Sequence, residues 1–411
     1  MDTFRAKYTP ILLITSMEVI KLLIWVSLFF VFYSYLGYAI MVWVYLKIRG
    51  KNRKRTVKND PDFEPPVSLI VAVYNEEDVI KKKIENCLAL HYPGNKLKLV
   101  FVADGSTDKT AAIIKQYPGV ELLYKNERQG KVSAINRAMM TISTDYVIFC
   151  DANTFLNEDC ICEIIKHYRD EKIGAVAGEK KVVAPATLNK PVKDGEGLYW
   201  KYESKLKKID SDFYSVVGAA GELFSIRTKL FEPLLSDILL DDFIISMNIC
   251  KKGYRVVYEP KAYAMEAPSL TMKDELNRKI RISAGGFQSI LLLKNLLNIF
   301  KYGKVSFLYI SHRVFRWVLC PVLLPVIFVC NFIVFQFSGD TIYTFYNMLF
   351  IVQIVFYFMA ALGWLFSLKK IKNNIFYIPY YFVFMNLALY IGFFKFLRNE
   401  QTVLWEKAKR V

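Results

Sequence analysis

The stretch VSLIVAVYNEE, residues 67–77, decides the fold, because a nearly continuous apolar run of seven residues leads there into a polar cluster. Such a run, rich in β-branched residues, is typical of a strand buried on both faces of a parallel sheet. A helix follows with Ile80, Ile84 and Leu88 on one face, and a Pro-Gly pair ends it. The order of strand, polar turn and helix predicts one unit of an α/β fold.

The same unit recurs along the chain. The further predicted elements are strands over residues 97–103, 120–124 and 145–150, and helices up to about residue 117 and over residues 131–141. This alternation predicts a doubly wound α/β domain, in which ligands bind at the carboxyl ends of the strands. The polar residues at those ends are Tyr74, Asn75, Glu76, Asp104, Asp151 and Asn153. We therefore expect a binding site at this edge of the sheet.

Three functional classes are disfavoured by the sequence. No G-x-G-x-x-G follows the first strand, as a dinucleotide dehydrogenase would require, and no G-x-x-x-x-G-K-[ST] indicates a P-loop ATPase. The 411 residues carry a net charge of +17, which invites a nucleic-acid reading. Residues 59–300, however, hold 33 basic and 33 acidic side chains, so the predicted domain is neutral. We therefore expect no nucleic-acid partner.

The positive charge lies beside four long apolar runs. Residues 1–58 hold ten basic and two acidic side chains, and residues 301–411 hold twelve and three. The apolar runs are residues 22–46, 317–339, 341–368 and 375–394. A helix of about 20 apolar residues crosses a bilayer. The sequence therefore predicts a multi-pass protein of the inner or plasma membrane, with a domain at residues 59–300 between an N-terminal helix and linker (1–58) and a C-terminal helical region (301–411).

The basic residues also predict orientation, with one conflict. Seven basic side chains in residues 47–58 follow the first run directly, so the central domain should be cytosolic. Three later crossings would then place the tail, residues 395–411, outside, whereas its net charge of +3 favours the inside. Either the run with Pro321 and Pro325 does not cross simply, or the tail is an exception. Both alternatives remain open from the sequence.

Two further segments are predicted to lie on the membrane surface. Residues 199–208 are basic and aromatic, and residues 290–300 are more apolar, so each is interpreted as an interfacial helix. Both would bring the predicted site close to the bilayer.

Six motifs occur in the order and spacing of a known family. They are VAVYNE (71–76), VADGSTD (102–108), GKVSAIN (130–136), DAN (151–153), LDD (240–242) and RKIRI (278–282). Over about residues 66–317 the chain resembles inverting family-2 glycosyltransferases of the GT-A fold. The membrane-embedded group of this family includes cellulose, chitin-oligosaccharide and hyaluronan synthases. The resemblance implies a UDP-sugar donor, a Mg²⁺ or Mn²⁺ ion, and a glycan or lipid-linked acceptor.

The resemblance also implies roles for single residues. Tyr74, Asn75, Glu76, Asp104, Lys131 and Asp151 would bind the nucleotide sugar, with the Asp104 carboxylate on the uridine and Arg128 near it. Asp151 and Asn153 would hold the metal, although Asn153 stands where the family has a second Asp. Gly218, Gly221 and Glu222 would lie in the acceptor region, and a structural salt bridge is an equal alternative for Glu222.

The reaction itself requires a base and cations. The acceptor hydroxyl must lose its proton, for which a carboxylate serves as general base, and the departing diphosphate needs positive charge. Asp242 is assigned as the base, with Asp241 as the neighbouring candidate. Arg278 and Arg281 have the position of the family's Q-x-x-R-W motif. The alternative is a later stretch that matches the R-x-x-R-W part of this motif in its residue types, with Arg313, Arg316 and Trp317.

Two functions follow as alternatives. The first is synthesis of a polysaccharide or oligosaccharide, and the second is transfer of a single sugar to a membrane lipid such as a polyprenyl phosphate or glycolipid. Four helices are few for a channel that a polymer would cross. A helper subunit or an oligomer of this chain would be needed to complete such a channel. Sugar and linkage are open.

Overall fold

The structure is a computed structural model that describes residues 2–50, 63–183, 190–268, 271–337, 344–369 and 374–402. Most of the basic linker, the predicted boundary at residue 58 and the last residues of the basic tail lie outside these ranges. The chain divides into a helical unit, Met1–Met41 with Ile310–Ile391, and an α/β unit, Val42–Tyr309 with Gly392–Val411. The two are described separately.

The described residues form eight strands, which share one sheet. They are β1 (Val67–Val73), β2 (Leu97–Asp104), β3 (Glu121–Lys125), β4 (Tyr146–Asp151), β5 (Thr154–Leu156), β6 (Ile173–Val182), β7 (Leu223–Arg227) and β8 (Arg255–Glu266).

Along the chain, the α-helices of the described residues come before, between and after the strands. They are α1 (Asp2–Phe32), α2 (Tyr38–Ile48), α3 (Ile80–Leu88), α4 (Thr110–Ile114), α5 (Lys131–Met139), α6 (Cys160–Ile165), α7 (Lys190–Phe213), α8 (Asp241–Lys251), α9 (Met272–Leu292), α10 (Ile299–Tyr302), α11 (Lys304–Tyr309), α12 (Cys320–Phe337), α13 (Phe345–Leu368) and α14 (Asn374–Leu397).

The sheet brings the predicted site residues to one edge. Its strand order is β3-β2-β1-β4-β7-β6-β8-β5. The first four strands are parallel, and β7 is antiparallel to β4 and β6. Val73 lies opposite Ala103 and Ala72 lies opposite Asp151, so the ends of β1, β2 and β4 are level. The residues that follow these ends therefore meet, as the sequence predicted.

The predicted strands are found with shifts of at most one residue at their ends, and β1 has the predicted bounds. Ile80 and Ile84 of α3 are fully buried, as expected from their spacing. The prediction that Leu88 lies on the same buried face is wrong, since its side chain is 50% exposed. Eight residues at about 100° each carry it about 80° away from Ile80 around the helix.

The segment at residues 199–208 is helical, but it packs on the sheet as well. Its residues belong to α7, whose charged side chains Glu203 and Lys207 are buried. The hydroxyl of Ser204 donates to Glu179 of β6 at 2.7 Å. One face of α7 is thus held by the domain. A contact of the exposed face with the bilayer stays a prediction, and the exposed stripe available for it is Lys201, Lys205 and Lys208.

The second predicted interfacial helix, residues 290–300, is wrong as a single helix. Helix α9 ends at Leu292, a 3₁₀ turn covers Lys294–Leu297, and α10 begins at Ile299. Helix α10 starts as a separate helix because the side-chain oxygen of Asn298 accepts from the backbone N–H groups of Phe300 and Lys301.

Among the residues that the structure describes, four helices are long and apolar enough to cross a membrane. They are Ser16–Ile48, Lys304–Phe337, Phe345–Leu368 and Ile375–Leu397. The second begins earlier than the predicted run at residues 317–339 and includes a π-helical segment, Ile310–Leu319. Helix α12 continues through Pro325, so Pro325 does not end this helix. Residues 338–343, where the predicted second and third runs meet, lie outside the described residues.

Candidate active site

The turn after β1 is tied to the turn after β2. Asn75 adopts a left-handed backbone conformation with φ of +49°, which Asn tolerates better than most residues. Its side-chain oxygen accepts from the backbone N–H of Thr107 at 2.8 Å, and its own N–H donates to Ser106 at 3.1 Å. The backbone N–H of Glu76 donates to Thr110 at 2.8 Å. Asn75 and Glu76 therefore shape the edge of the site.

Tyr74 lies beneath a cation. The guanidinium carbon of Arg128 is 3.8 Å from the centre of the Tyr74 ring, a close cation–π contact. A planar stack of this kind at the end of β1 offers a flat surface to an aromatic ligand.

Asp104 holds the loop that carries Arg128. Its carboxylate oxygen Oδ2 accepts from the backbone N–H groups of Gln129 at 3.0 Å and Gly130 at 2.6 Å, and the residue is 1% exposed. Arg137 lies 3.8 Å from the other oxygen. In the structure Asp104 positions the residues before α5, and its predicted contact with a uridine stays a prediction.

Lys131, the first residue of α5, is the centre of a carboxylate cluster. Its Nζ lies 2.7 Å from Oδ1 of Asp151 and 3.6 Å from Oδ2 of Asp241. Asp242 also acts on Lys131 electrostatically. Despite the cost of burial, these three negative charges raise the pKa of Lys131 above its usual range. Lys131 is therefore a permanent cation, and the structure brings four predicted site residues together.

Asp242 has the environment of a base. It belongs to the first turn of α8, and its Oδ1 accepts from the backbone N–H of Phe243 at 2.8 Å. Burial, and then the charge of Asp241, raise the pKa of Asp242 to about 7, against the opposing effect of Lys131. A carboxylate with a pKa near neutrality is suited to accept a proton at physiological pH.

The two arginines of α9 have different surroundings. Arg278 is paired with buried Glu275, with both contacts at 3.0 Å. Arg281 instead interacts electrostatically with Asp241, Asp151 and Asp242. Of the predicted pair, the structure thus brings Arg281 to the cluster and assigns Arg278 to a pairing within its own helix.

The alternative arginine motif lies in the helical unit. Arg313, Arg316 and Trp317 belong to the π-helical segment that precedes α12. The guanidinium of Arg316 lies 5.7 Å from the Tyr35 ring centre, and that of Arg313 lies 5.7 Å from the Trp317 ring centre. These contacts are internal to the helical unit, whereas the carboxylate cluster belongs to the α/β unit.

The predicted acceptor region leaves space beside the cluster. Gly218 has φ of +83°, and a Cβ there would collide with the ring of Phe243. A Cβ at Gly221 would lie 3.2 Å from Nζ of Lys131 and 3.3 Å from Oδ2 of Asp242. Gly218 therefore lets the Phe243 ring pack against the backbone, and Gly221 leaves Lys131 and Asp242 uncrowded.

Glu222 has the structural pairing that the sequence left as an alternative. Its Oε1 lies 2.7 Å from Nζ of Lys180, whose side chain is 1% exposed, and Lys180 also contacts Glu266. Lys180 holds the pKa of Glu222 well below its usual range despite burial. Glu222 is therefore a fixed anion rather than a second base.

The donor set fits a divalent cation bound together with a ligand. Asp151 and Asn153 present a carboxylate and an amide oxygen, which Mg²⁺ and Mn²⁺ accept. The buried Oδ2 of Asp241 has no hydrogen-bond partner. The described residues contain no group of three or more His, Cys, Asp or Glu that could hold a metal. Mg²⁺ is usually bound through one or two carboxylates and substrate phosphates, so two protein ligands suffice.

Sequence reasoning assigned no role to Asn136, the last residue of the GKVSAIN motif. Its side chain donates to the carbonyl of Leu234 at 2.7 Å and accepts from the N–H of Leu234 at 3.0 Å. It thus fixes the loop that leads into α8. The motif spacing singled out Asn136, but its partner is 98 residues away and is not visible in the sequence.

The chain is similar to proteins of known class. Residues 68–235 match the family model described as glycosyl transferase family 2. Poly-beta-1,6-N-acetyl-D-glucosamine synthase of Staphylococcus aureus (strain MSSA476) is 27% identical over 256 residues, which cover 60% of each chain. The synthase of the same name from Staphylococcus epidermidis (strain ATCC 35984) is 25% identical over 286 residues, 67% of each chain.

A solved structure shares the fold. The mannosyltransferase PcManGT from Pyrobaculum calidifontis, in complex with GDP-Man and Mn²⁺, superimposes with a TM-score of 0.68 at 21% identity, over 93% of this chain and 100% of the other. The family-model match supports the predicted glycosyltransferase domain over residues 68–235, and the structural likeness confirms the predicted fold.

The first prediction concerns pH. Because Asp242 must be deprotonated to accept a proton, activity should rise with pH and level off above the pKa of about 7. Asp241→Asn removes a neighbouring negative charge, which lowers the pKa of Asp242, so the rising limb should move to lower pH. The measurement is kcat/KM against pH for both proteins, and a limb that stays in place in the variant would contradict the assigned coupling.

The second prediction concerns the open approach at Gly221. Gly221→Ala should leave the fold intact but lower kcat by about tenfold or more, because the added methyl group crowds Lys131 and Asp242. Gly94→Ala is the matched control, since a Cβ there meets nothing within 4 Å. Equal rates for both variants in a transfer assay would show that the space beside the cluster is not used.

Proposed function

Because residues 68–235 form a family-2 glycosyltransferase domain with the GT-A fold, we propose that this chain is an inverting transferase. It moves a sugar from a UDP-sugar to a growing polysaccharide or oligosaccharide at the cytosolic face of the membrane. The observation that carries this proposal is the position of Asp242, a carboxylate with a raised pKa beside Lys131, at a point where residue 221 has no side chain to crowd either group.

Asp242 is the general base in the proposed mechanism. It takes the proton of the acceptor hydroxyl as the oxygen attacks the anomeric carbon. Direct attack opposite the departing diphosphate inverts the configuration at that carbon. The N-terminus of α8 holds Asp242 in place through the Phe243 N–H, so the base keeps its orientation while it exchanges its proton.

The cations of the site stabilise the leaving group. Lys131 and Arg281 face the place where negative charge develops on the diphosphate, and fixed charges of this kind need no reorganisation during the reaction. Asp151 and Asn153 would hold a Mg²⁺ or Mn²⁺ ion. When bound, such an ion acts as a Lewis acid on the phosphate oxygens.

Donor and product follow from the relatives only as proposals. The match spans about 60% of the length of the Staphylococcus aureus synthase, so the activity of that whole protein does not transfer by similarity alone. Its name nevertheless makes UDP-N-acetylglucosamine the first donor to test. Tyr74 and Arg128 form the proposed surface for the uracil ring.

The acceptor separates the leading proposal from its alternative. The four candidate spans among the described residues are few for a channel that a polymer would cross, so transfer of one sugar to a lipid acceptor stays the alternative. A second copy of the chain or a helper subunit would complete a channel if the product is a polymer. The candidate spans and the basic linker support the proposal that the protein lies in the inner or plasma membrane with its α/β unit in the cytosol.

The third prediction tests the base. Membranes that contain the protein should transfer radiolabelled sugar from UDP-N-acetylglucosamine, UDP-glucose or UDP-galactose, and Asp242→Asn should lower the rate by about 10²–10⁴-fold. Glu275→Gln, a buried acidic residue of the α/β unit outside the cluster, serves as the control for folding. Unchanged UDP release in Asp242→Asn would remove Asp242 from the mechanism.

The same assay distinguishes the two acceptors. A ladder of labelled products indicates a polymer, and a single species that partitions into organic solvent indicates a lipid acceptor. Release of free sugar alone, with no product of either kind, would contradict both forms of the proposal.

The fourth prediction tests the metal. EDTA should abolish transfer, and Mg²⁺ or Mn²⁺ should restore it. Asn153→Asp adds a carboxylate to the donor set, so half-maximal activity should be reached at a lower metal concentration than in the unchanged protein. Activity that survives EDTA, or a variant with an unchanged metal requirement, would contradict the assignment of Asp151 and Asn153 as ligands.

A further inference from the structure

Helix α14 has basic residues at both ends. Lys369, Lys370 and Lys372 precede it, and Lys395 and Arg398 stand at its end. Lysine and arginine accumulate on the cytosolic side of a membrane helix. A crossing helix should therefore have them at one end, whereas this pattern puts both ends of α14 on the same side.

The composition of α14 is that of an interfacial helix. Its mean hydropathy of 1.5 is the lowest of the four candidate spans, which otherwise range from 2.0 to 2.7. It carries Asn386 and four tyrosines, Tyr377, Tyr380, Tyr381 and Tyr390. Tyrosine concentrates where the bilayer meets water, and a polar amide is costly in the hydrocarbon core.

Within the helical unit, α14 contacts both α12 and the first candidate span, Ser16–Ile48. The side chains of Ser34 and Cys320 are hydrogen-bonded, so the first span and α12 are level at these residues. The next residue of α12, Pro321, contributes a carbonyl that accepts from the hydroxyl of Tyr390. The next residue on the other helix, Tyr35, has its ring centre 5.7 Å from that of Phe382.

These two contacts fix the direction of α14. Phe382 and Tyr390 are eight residues apart, about 12 Å along a helix. Their partners, Tyr35 and Pro321, are nevertheless at the same level of the first span and α12. A helix parallel to these two would place the second contact about 12 Å further along them. Helix α14 is therefore steeply inclined to the first span and to α12.

The tyrosine contact has a chemical reason. Proline has no N–H, so Pro325 cannot donate to the carbonyl of Pro321 one turn earlier in α12. That carbonyl is left for another donor, and Tyr390 supplies it. The proline in α12 thus creates an attachment point for α14.

The last residues of α14 belong to the α/β unit. A Cβ at Gly392 would lie 2.6 Å from Cβ of Ser283 and 2.9 Å from the carbonyl of Ile280, so the backbone of α14 meets that of α9 closely. The ring centres of Phe287 and Phe393 are 5.0 Å apart. Helix α9 carries Arg281, which interacts with the carboxylate cluster.

We infer that α14 does not cross the bilayer. It lies in the cytosolic membrane interface, among the lipid headgroups, with both ends on the side of the catalytic domain, and its last turns brace α9. The chain then crosses three times, and its basic tail is cytosolic. This inference concerns the place of α14 and goes beyond the proposed reaction.

Labelling with a membrane-impermeant maleimide tests the location. The native Cys162 is exposed in the α/β unit and reports the side of the domain. Glu400→Cys places a thiol just after α14, and Ser16→Cys places one at the other end of the first span from Ile48. We expect Glu400→Cys to be labelled together with Cys162 in inverted vesicles and to be protected in intact cells, with the opposite result for Ser16→Cys.

Each other outcome overturns the inference. Labelling of Glu400→Cys in intact cells means that α14 crosses. Protection in both preparations means that residue 400 is not at a membrane surface, contrary to the 52% exposure of its side chain. Labelling of the detergent-solubilised protein, in which no membrane blocks the reagent, gives the maximum signal of each thiol, and the signals from cells and vesicles are compared with it. The comparison does not depend on catalysis, so it stands even if the proposed function fails.

A second test addresses the brace and rests on the proposed function. Gly392→Ala pushes against Ser283 and the backbone of α9, so we expect a lower kcat of sugar transfer with an unchanged side of labelling. Gly94→Ala, whose Cβ meets nothing, is the control. Unchanged kcat in Gly392→Ala would show that α14 does not act on α9.

Discussion

The site depends on one ammonium group. Lys131 faces the carboxylates of Asp151, Asp241 and Asp242, with its Nζ 2.7 Å from the first and 3.6 Å from the second. Two unit charges about 4 Å apart interact by about 4 kcal/mol at an effective dielectric constant of about 20. Without the lysine, the repulsion among three neighbouring carboxylates would have no opposing charge at this distance. Lys131 lowers the pKa of Asp242 against burial and the charge of Asp241, and the pKa of Asp242 stays near 7.

The fold delivers these groups from three distant parts of the chain. The register of β1 with β4 puts Asp151 at the sheet edge. Asp104 binds the backbone before Lys131 and so sets where α5 begins. The hydroxyl of Ser246, on α8, accepts from the N–H of Ala219 and so joins the loop of Gly218 and Gly221 to the helix that carries Asp242. The buried side chains of Asp104 and Ser246 therefore bind backbone N–H groups, and the backbone in turn positions the charged groups of the cluster.

This division explains how much the sequence could predict. The strands β1 to β4 follow from local apolar runs, and the cluster follows from motifs at their ends. The orientation of Asp104 could not be predicted, because it depends on N–H groups 25 and 26 residues away. The pairing of Glu222 with Lys180 across 42 residues was likewise invisible, so a salt bridge was only one of two alternatives. Periodicity identified α7 as amphipathic, but charged residues on its buried face concealed that it packs on the sheet.

Charge balance also links donor and metal. Asp151, Asp241 and Asp242 face Lys131 and Arg281, so the cluster has at most one negative charge beyond its cations, depending on the protonation of Asp242. Asn153 supplies an oxygen without a charge, which limits the affinity of the empty site for a divalent ion. A diphosphate adds negative charge and further oxygen ligands. The ion and the nucleotide sugar should therefore bind more tightly together than either does alone, since each supplies the charge that the other lacks.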